Sequence, residues 1–354
     1  MKPIFDGADG PYVLYEKDDT VRIIGVDEHG QPYNTTYDVL PEDYSVEVVS
    51  HDGSHRFNVK KSPLIRNNWK NEAPQKLLVI SDSHGDLNAF LSVLTGNGVI
   101  NENYEWTYGN NGLMIVGDIF DRGSDVLPVL WLTYKLQHEA RKAGGNVHFV
   151  LGNHETRVLC NDLDFAAGKY QDLASYFDIP YAFLFGPNSE LGQWLYYTNT
   201  IEIIGNSLFV HGGLSENFYN GNYEIPYVNE QISNALFLDY MQRNEYSQDS
   251  EFLFSSSRRY KGGSGPIWYR GMFGFADAVD HYLTDKVLNG LLKRYDVKRF
   301  IVGHTEFDEV SFFRGGRVIG VNVNSTKNCE RKASRGILIE DDEVFVIDDK
   351  GVKY

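Results

Sequence analysis

Between residues 12 and 60 the apolar positions arrive in five short bursts, at 12–16, 21–26, 33–40, 45–50 and 56–60, together rich in Val, Ile, Tyr and Thr. Turn clusters separate them: Lys17-Asp18-Asp19, Asp27-Glu28-His29-Gly30 and His51-Asp52-Gly53-Ser54. Branched and aromatic side chains suit a pleated, half-buried surface, so the pattern predicts a meander of short strands. Residues 62–75 carry two prolines and three asparagines and read as a connector. The expected division is a small all-β module over 1–72, without obvious chemistry, and a second domain over 73–354.

After Lys76 the period changes. Residues 77–81 form a short apolar strand, 87–94 a helix, 113–117 a second strand and 124–143 a strong helix. In that helix Leu127, Leu130, Trp131, Tyr134 and Leu136 recur at helical spacing, and Gly144-Gly145 stops it. Residues 147–151 give a third strand with a helix after it. Strand and helix in alternation predict an α/β fold with a parallel or mixed sheet. Beyond Ile201 the strands read as hairpin-like: 201–204 with 207–211, then 300–302, 317–322 and 337–347, the last turning at Asp341-Asp342.

Composition narrows the class. With 42% hydrophobic and 14% aromatic residues among 354, the chain has ample core and is not disordered. No run approaches the roughly 18 apolar residues of a membrane helix. Lys and Arg number 33 against 49 Asp and Glu, a net charge of −16. Such a field repels polyanions and argues against nucleic acid or anionic lipid as partners. Cys160 and Cys329 are too few for a disulfide scaffold or a four-cysteine zinc site and leave one disulfide open. The start, Met1-Lys2-Pro3-Ile4-Phe5-Asp6, has no apolar signal-peptide core. The cytoplasm is the expected location, with the periplasm or exterior open if a leader was removed.

Three strand ends carry unusual polar clusters: Ser81-Asp82-Ser83-His84-Gly85-Asp86, Gly117-Asp118-Ile119-Phe120-Asp121-Arg122-Gly123 and Gly152-Asn153-His154-Glu155. In an open α/β sheet, ligands sit beyond the carboxyl ends of the strands, so neighbouring strands would bring these clusters together. Asp82 and His84, two apart, point to one side of an extended chain and can chelate one divalent cation. Singly, each has a plainer use. An Asp after a strand more often caps a helix or makes a turn, and Asn153 can cap the next helix. Three such clusters in order are another matter.

With these blocks, and with VHGGL (210–214) and VGHT (302–305), the chain resembles the metallophosphoesterase superfamily and, within it, the PPP-type protein phosphatases. GPIWYR (265–270) and the helix leading through Gly144-Gly145 to GNHE resemble the Shewanella-like bacterial branch. The resemblance implies a calcineurin-like β-sandwich flanked by helices after the N-terminal module. It also implies two divalent cations. Asp82, His84 and Asp118 would hold one; Asp118 would bridge to the other, completed by Asn153, His211 and His304. Oxygen and nitrogen donors without cysteine suit manganese, iron or zinc. Cations about 3.5–4 Å apart orient a bridging hydroxide for in-line attack on phosphorus. His154 would protonate the leaving oxygen, with Asp121 raising its pKa. Arg122 and Arg270 would hold the phosphoryl oxygens. Gly212-Gly213 and Gly303 let backbone approach a crowded site closely, and Glu155 reads as an early-helix carboxylate supporting it. The cations outweigh the Asp82 and Asp118 carboxylates, so the site is locally positive within an acidic protein. The Ser-Ala-Pro-Asn-Tyr segment of the eukaryotic enzymes is missing, and residues 321–326 stand roughly in its place. Inhibitor sensitivity and regulatory subunits are therefore not carried over.

The expected activity is hydrolysis of phosphomonoesters in phosphoproteins or phosphopeptides, phosphotyrosine favoured over phosphoserine and phosphothreonine. One rival is a dinucleoside-polyphosphate or other small-molecule phosphoesterase, against which GNHE stands in place of GNHD. Another is a non-catalytic phospho-reader, against which the donor set is complete. Residues 254–266 form a locally basic loop, a solvated surface or a rim where Arg258, Arg259 and Lys261 meet acidic substrate flanks. Phe120, Trp268 and Tyr269 are expected to wall a slot for a phosphotyrosine ring. His29, His51 and His55 read as solvated turn residues, and His138, His148 and His281 as surface residues.

Overall fold

The computed structural model describes residues 4–17, 20–41, 44–255, 263–274 and 282–354. Strands β1 (Asp9–Tyr15), β2 (Val21–Val26) and β3 (Pro32–Tyr37) form an antiparallel sheet, and β4 (Ser45–Val49) pairs with β5 (Arg56–Lys60) in a separate hairpin. The larger sheets are built from β6 (Lys70–Asn71), β7 (Lys76–Ile80), β8 (Gly112–Ile115), β9 (Asn146–Phe149), β10 (Ile201–Ile204), β11 (Ser207–Val210), β12 (Arg299–Val302), β13 (Ser311–Phe313), β14 (Val318–Gly320), β15 (Gly336–Glu340) and β16 (Glu343–Ile347). One has the order β16-β15-β7-β8-β9, the other β13-β14-β12-β11-β10-β6.

Alternation along the strands explains how the sheets stack. Leu77, Val79 and Met114 of the first sheet meet Ile204, Phe209, Ile301 and Ile319 of the second in one apolar cluster. Their neighbours Leu78, Ile80, Leu113, Leu208 and Phe300 point the other way, into the cluster beneath the helices. Successive side chains face opposite sides of a sheet. With both sides buried, central strands such as β7, β8 and β12 read as nearly unbroken apolar runs rather than alternating ones.

Helix α1 (Leu87–Gly96) starts where the Asp86 carboxylate accepts the Ala89 N–H at 2.9 Å. Helix α2 (Val126–Lys142) is the long helix that the apolar spacing predicts, followed by Gly144 at φ 81°. The N-terminal strands pack on it. Tyr12, Ile24, Val48 and Phe57 belong to the same buried cluster as Leu127 and Leu130, and Trp131 Nε1 donates to Pro11 O at 3.0 Å.

Several expectations are corrected. The strands beyond Ile201 are hairpin-like only in part, with β15 and β16 turning at Asp341-Asp342 as expected. β10 and β11 are antiparallel, but β12 runs parallel to both β11 and β14. The chain between β11 and β12, which includes the helix Asp285–Tyr295, is long enough for the crossover a parallel pair needs. The connector contains β6, paired in parallel with β10. His148 is buried, not a surface residue. Its Nδ1 lies 2.6 Å from Glu202 Oε2, tying β9 to β10 across the two sheets. His55 is held between Tyr104 and Asn88, and His281 lies outside the described residues. Cys160 and Cys329 are both free. Among the described residues no helix is long and apolar enough to cross a membrane.

Candidate metal centre and active site

Five strands from both sheets deliver their carboxyl ends to one place. The chain leaves β7 into Asp82 and His84, β8 into Asp118, β9 into Asn153 and His154, β11 into His211 and β12 into His304. Asp118 sits at the centre. Its Oδ2 lies 3.0 Å from His211 Nε2 and 3.9 Å from both His84 Nε2 and His154 Nε2. Two groups of donor atoms share it, His84–Asp118–His154 and Asp118–His211–His304, with the atoms of each within 4.8 Å of one another. Asp82 Oδ1 is 3.9 Å from His84 Nε2, and Asn153 Oδ1 is 3.0 Å from His211 Nε2.

The imidazoles are aimed from behind. His84 Nδ1 lies 2.8 Å from Phe120 O and His211 Nδ1 2.7 Å from Val116 O. A neutral ring that gives its Nδ1–H to that carbonyl turns a bare Nε2 to the centre, the form in which histidine ligates. Among the described residues, His304 Nε2 is buried with no hydrogen-bond partner. An orphaned imidazole nitrogen beside carboxylates and further imidazoles fits a divalent cation, and a carboxylate shared by two donor groups fits two.

Electrostatics follow from burial and crowding. Burial pushes Asp82 up to about 7 and His84 down to about 4. His304 falls well below the usual range, through burial and then Arg270. Burial would also lower His211, but the Asp118 and Asp82 charges raise it to about 9. For His154 burial lowers and the Asp118 charge, then the Asp121 hydrogen bond, raise; the net direction is upward. That bond, His154 Nδ1 to Asp121 Oδ2, is 2.6 Å long.

The backbone pays locally for this convergence. Asp82, His84, Asp118, Asp121, Arg122 and His304 all have φ between 45° and 71°, the left-handed region that ordinary residues avoid. Such strain persists only where the surroundings hold it. Glu155 is one such support, and its role exceeds the expected one. The carboxylate accepts N–H groups from Asp118, Ile119, Phe120 and Gly152 at 3.0, 2.7, 3.2 and 2.6 Å, fastening two ligand loops together.

Glycines supply the room. A methyl on Gly152 would overlap the Asp118 carboxylate; one on Gly303 would strike Ser81 Oγ and come within 2.7 Å of Asp82 Oδ2. Gly303→Ala is therefore expected to lower bound metal per chain at least tenfold at limiting metal, with the far-ultraviolet spectrum preserved. Full metal occupancy in that variant would show that Asp82 can move aside. Gly212 serves a different neighbour from the one expected. Its open face meets the backbone of Ile267 and Trp268, and Gly212 and Gly213 both donate to Pro266 O at 2.9 Å.

Arg122 is exposed at a cleft of about 440 Å³, which Asp82, His84, Asn322, Asn324 and Thr326 also line. Arg270 reaches the second donor group, where it donates to His304 O at 2.8 Å and Thr305 Oγ1 at 3.2 Å. Arg258, Arg259 and Lys261 lie outside the described residues. The expected aromatic slot is largely wrong. Phe120 packs against Phe185 in the core and Tyr269 is buried, so neither ring offers an open face to a ligand. Trp268 alone of the three stands beside the site, with its ring 5.7 Å from that of His304. Phe165 was missed. It lies 5.5 Å from the His154 ring, and no pattern in its loop announces this, since only the fold brings residue 165 beside residue 154.

A model of the calcineurin-like phosphoesterase family matches residues 75–305, and the chain belongs to that family. Family and site together define a metal-dependent phosphatase, in which two donor groups sharing Asp118 fit a pair of divalent cations. The chain is similar over 98% of both chains to the cold-active protein-tyrosine phosphatase of a psychrophilic Shewanella species, with 27% identity and a TM-score of 0.84. It is 25% identical over 304 residues to Shewanella-like protein phosphatase 2 of Arabidopsis thaliana, covering 73% of each chain. An uncharacterised protein of Schizosaccharomyces pombe is 30% identical over 261 residues, 71% of this chain and 73% of that one.

Proposed function

We propose that this chain removes phosphate from phosphoproteins or phosphopeptides and prefers phosphotyrosine. The observation that carries the reading is the likeness, over nearly the whole of both chains, to a protein-tyrosine phosphatase. Asp82, His84 and Asp118 would hold one cation, and Asp118, Asn153, His211 and His304 the other, with manganese, iron or zinc all suited to these donors. When bound, the pair supplies Lewis acidity and a nucleophile usable at neutral pH.

The chain's own groups do the rest. Arg122, unpaired among the described residues and exposed at the cleft mouth, closes on the phosphoryl oxygens from one side. Arg270, anchored on the His304 carbonyl, approaches from the other. His154, held by Asp121 with Nε2 towards the centre, gives its proton to the leaving oxygen. Asp121 keeps the ring oriented while it carries charge.

Loaded with manganese and assayed on matched peptides, the protein should show a higher kcat/KM for phosphotyrosine than for phosphoserine or phosphothreonine. Faster turnover of dinucleoside tetraphosphate than of every peptide would sink the proposal. Arg122→Ala is expected to lower kcat/KM roughly 10²-fold, the usual cost of one transition-state donor. Inhibition by inorganic phosphate should weaken in parallel. Unchanged phosphate inhibition would move the oxyanion contact to Arg270 alone.

A further inference from the structure

Phe165 is 48% exposed, yet it is fixed on several sides. Its carbonyl accepts the Arg122 N–H at 2.9 Å. Its ring stands at 71° to the His154 imidazole, centroids 5.5 Å apart. The Arg157 guanidinium lies 4.5 Å from its centroid, and Asp162 holds that guanidinium at 2.7 Å. Arg157 is also 6.0 Å from the Trp268 ring, which stands at 89° to His304. A single exposed aromatic is ordinary on a protein surface. One immobilised beside the proposed acid, and linked through an arginine to a second ring at the other donor group, is not explained by packing.

Building on the phosphotyrosine reading, we propose that Phe165, Arg157 and Trp268 form a wall that receives the aromatic ring of the leaving group. The wall runs from His154 at one donor group to His304 at the other. A leaving oxygen must come within roughly 2.6–3.2 Å of His154 Nε2 to take its proton. A ring bonded to that oxygen then passes Phe165 within the 4.5–7 Å centroid range that aromatic pairs favour, and Arg157 can stack on it. The leaving oxygen of phosphoserine is joined to the peptide backbone by a single methylene and brings no ring to the wall. The wall thus discriminates by reach and flatness, adding to the lower basicity of a phenolic leaving group.

Non-hydrolysable ligands separate ring contact from leaving-group chemistry. Dissociation constants of phenylphosphonate and methylphosphonate are measured by calorimetry on the manganese-loaded protein and on Phe165→Ala, Phe165→Tyr and Trp268→Ala. Wild type should bind the phenyl compound more tightly. In Phe165→Ala the phenyl-to-methyl ratio of dissociation constants should rise about threefold to tenfold, with a smaller rise in Trp268→Ala and recovery in Phe165→Tyr. The kcat/KM ratio of phosphotyrosine to phosphoserine peptides should fall by a similar factor, mainly through KM. Equal weakening of both phosphonates in Phe165→Ala, or a wild type that does not prefer the phenyl compound, overturns the wall. Should wild type instead prefer phosphoserine peptides, the phosphotyrosine reading fails, while the phosphonate ratio still decides whether a ring is received there.

Discussion

Asp118→Asn is expected to lose turnover and bound metal together, with kcat falling on the order of 10⁴-fold or more. Asparagine keeps the shape of aspartate, so the fold around a position only 1% exposed should survive. What disappears is the charge. One oxygen, Oδ2, is within 3.9 Å of His84 and His154 and 3.0 Å of His211, so both donor groups lose their common anion in one substitution. An amide oxygen binds divalent cations far more weakly than a carboxylate. The other oxygen accepts the His154 N–H at 2.9 Å, which an amide oxygen can still do. The loss should therefore trace to metal and not to a displaced helix. Metal per chain, measured by mass spectrometry after desalting, should drop for both cations; retention of both with turnover above roughly a hundredth of wild type would show that Asp118 is not shared.

His154→Ala should give the opposite pairing, metal retained and turnover lost. Its Nδ1 is committed to Asp121, and the Asp118 and Asp121 interactions push its pKa upward against burial, favouring the form that can donate. On a substrate with a poor leaving group the expected fall is about 10²–10⁴-fold, the usual range for a positioned acid. p-Nitrophenyl phosphate, whose leaving group needs little protonation, should lose much less. A uniform loss on both substrates, accompanied by loss of metal, would make His154 a ligand of the first cation, as its place in the first donor group allows.

The ligand positions were legible because each is local. A strand end, a glycine and a ligand residue are neighbours in sequence, so Gly117-Asp118, Gly152-Asn153 and Gly303-His304 leave short, specific strings. The strands were legible too, as bursts of branched apolar residues, to within one to three residues at most ends. Pairing was not. β12 reads alike whether it pairs in parallel or antiparallel, because a strand buried on both sides carries no alternation to reveal its partners. His148 looked exposed because its partner, Glu202, is 54 residues away and on the other sheet. Phe120, Trp268 and Tyr269 all sit near site residues in sequence. Proximity along the chain does not say whether a ring is open to a ligand: Phe120 and Tyr269 are buried, and Trp268 stands beside the site.

By itself, then, the sequence determined the alternation of elements, the donor residues and the chemistry they suit, all of which depend on spacings of a few residues. The tertiary structure places Asp118 in two donor groups, as the resemblance implied, and alone decided that Glu155 fastens two ligand loops and that Phe165 and Arg157 stand beside His154 and Trp268. Those facts belong to distances between segments far apart in the chain. They are set by how two sheets stack and how the long crossover returns, and no local pattern of residues encodes them.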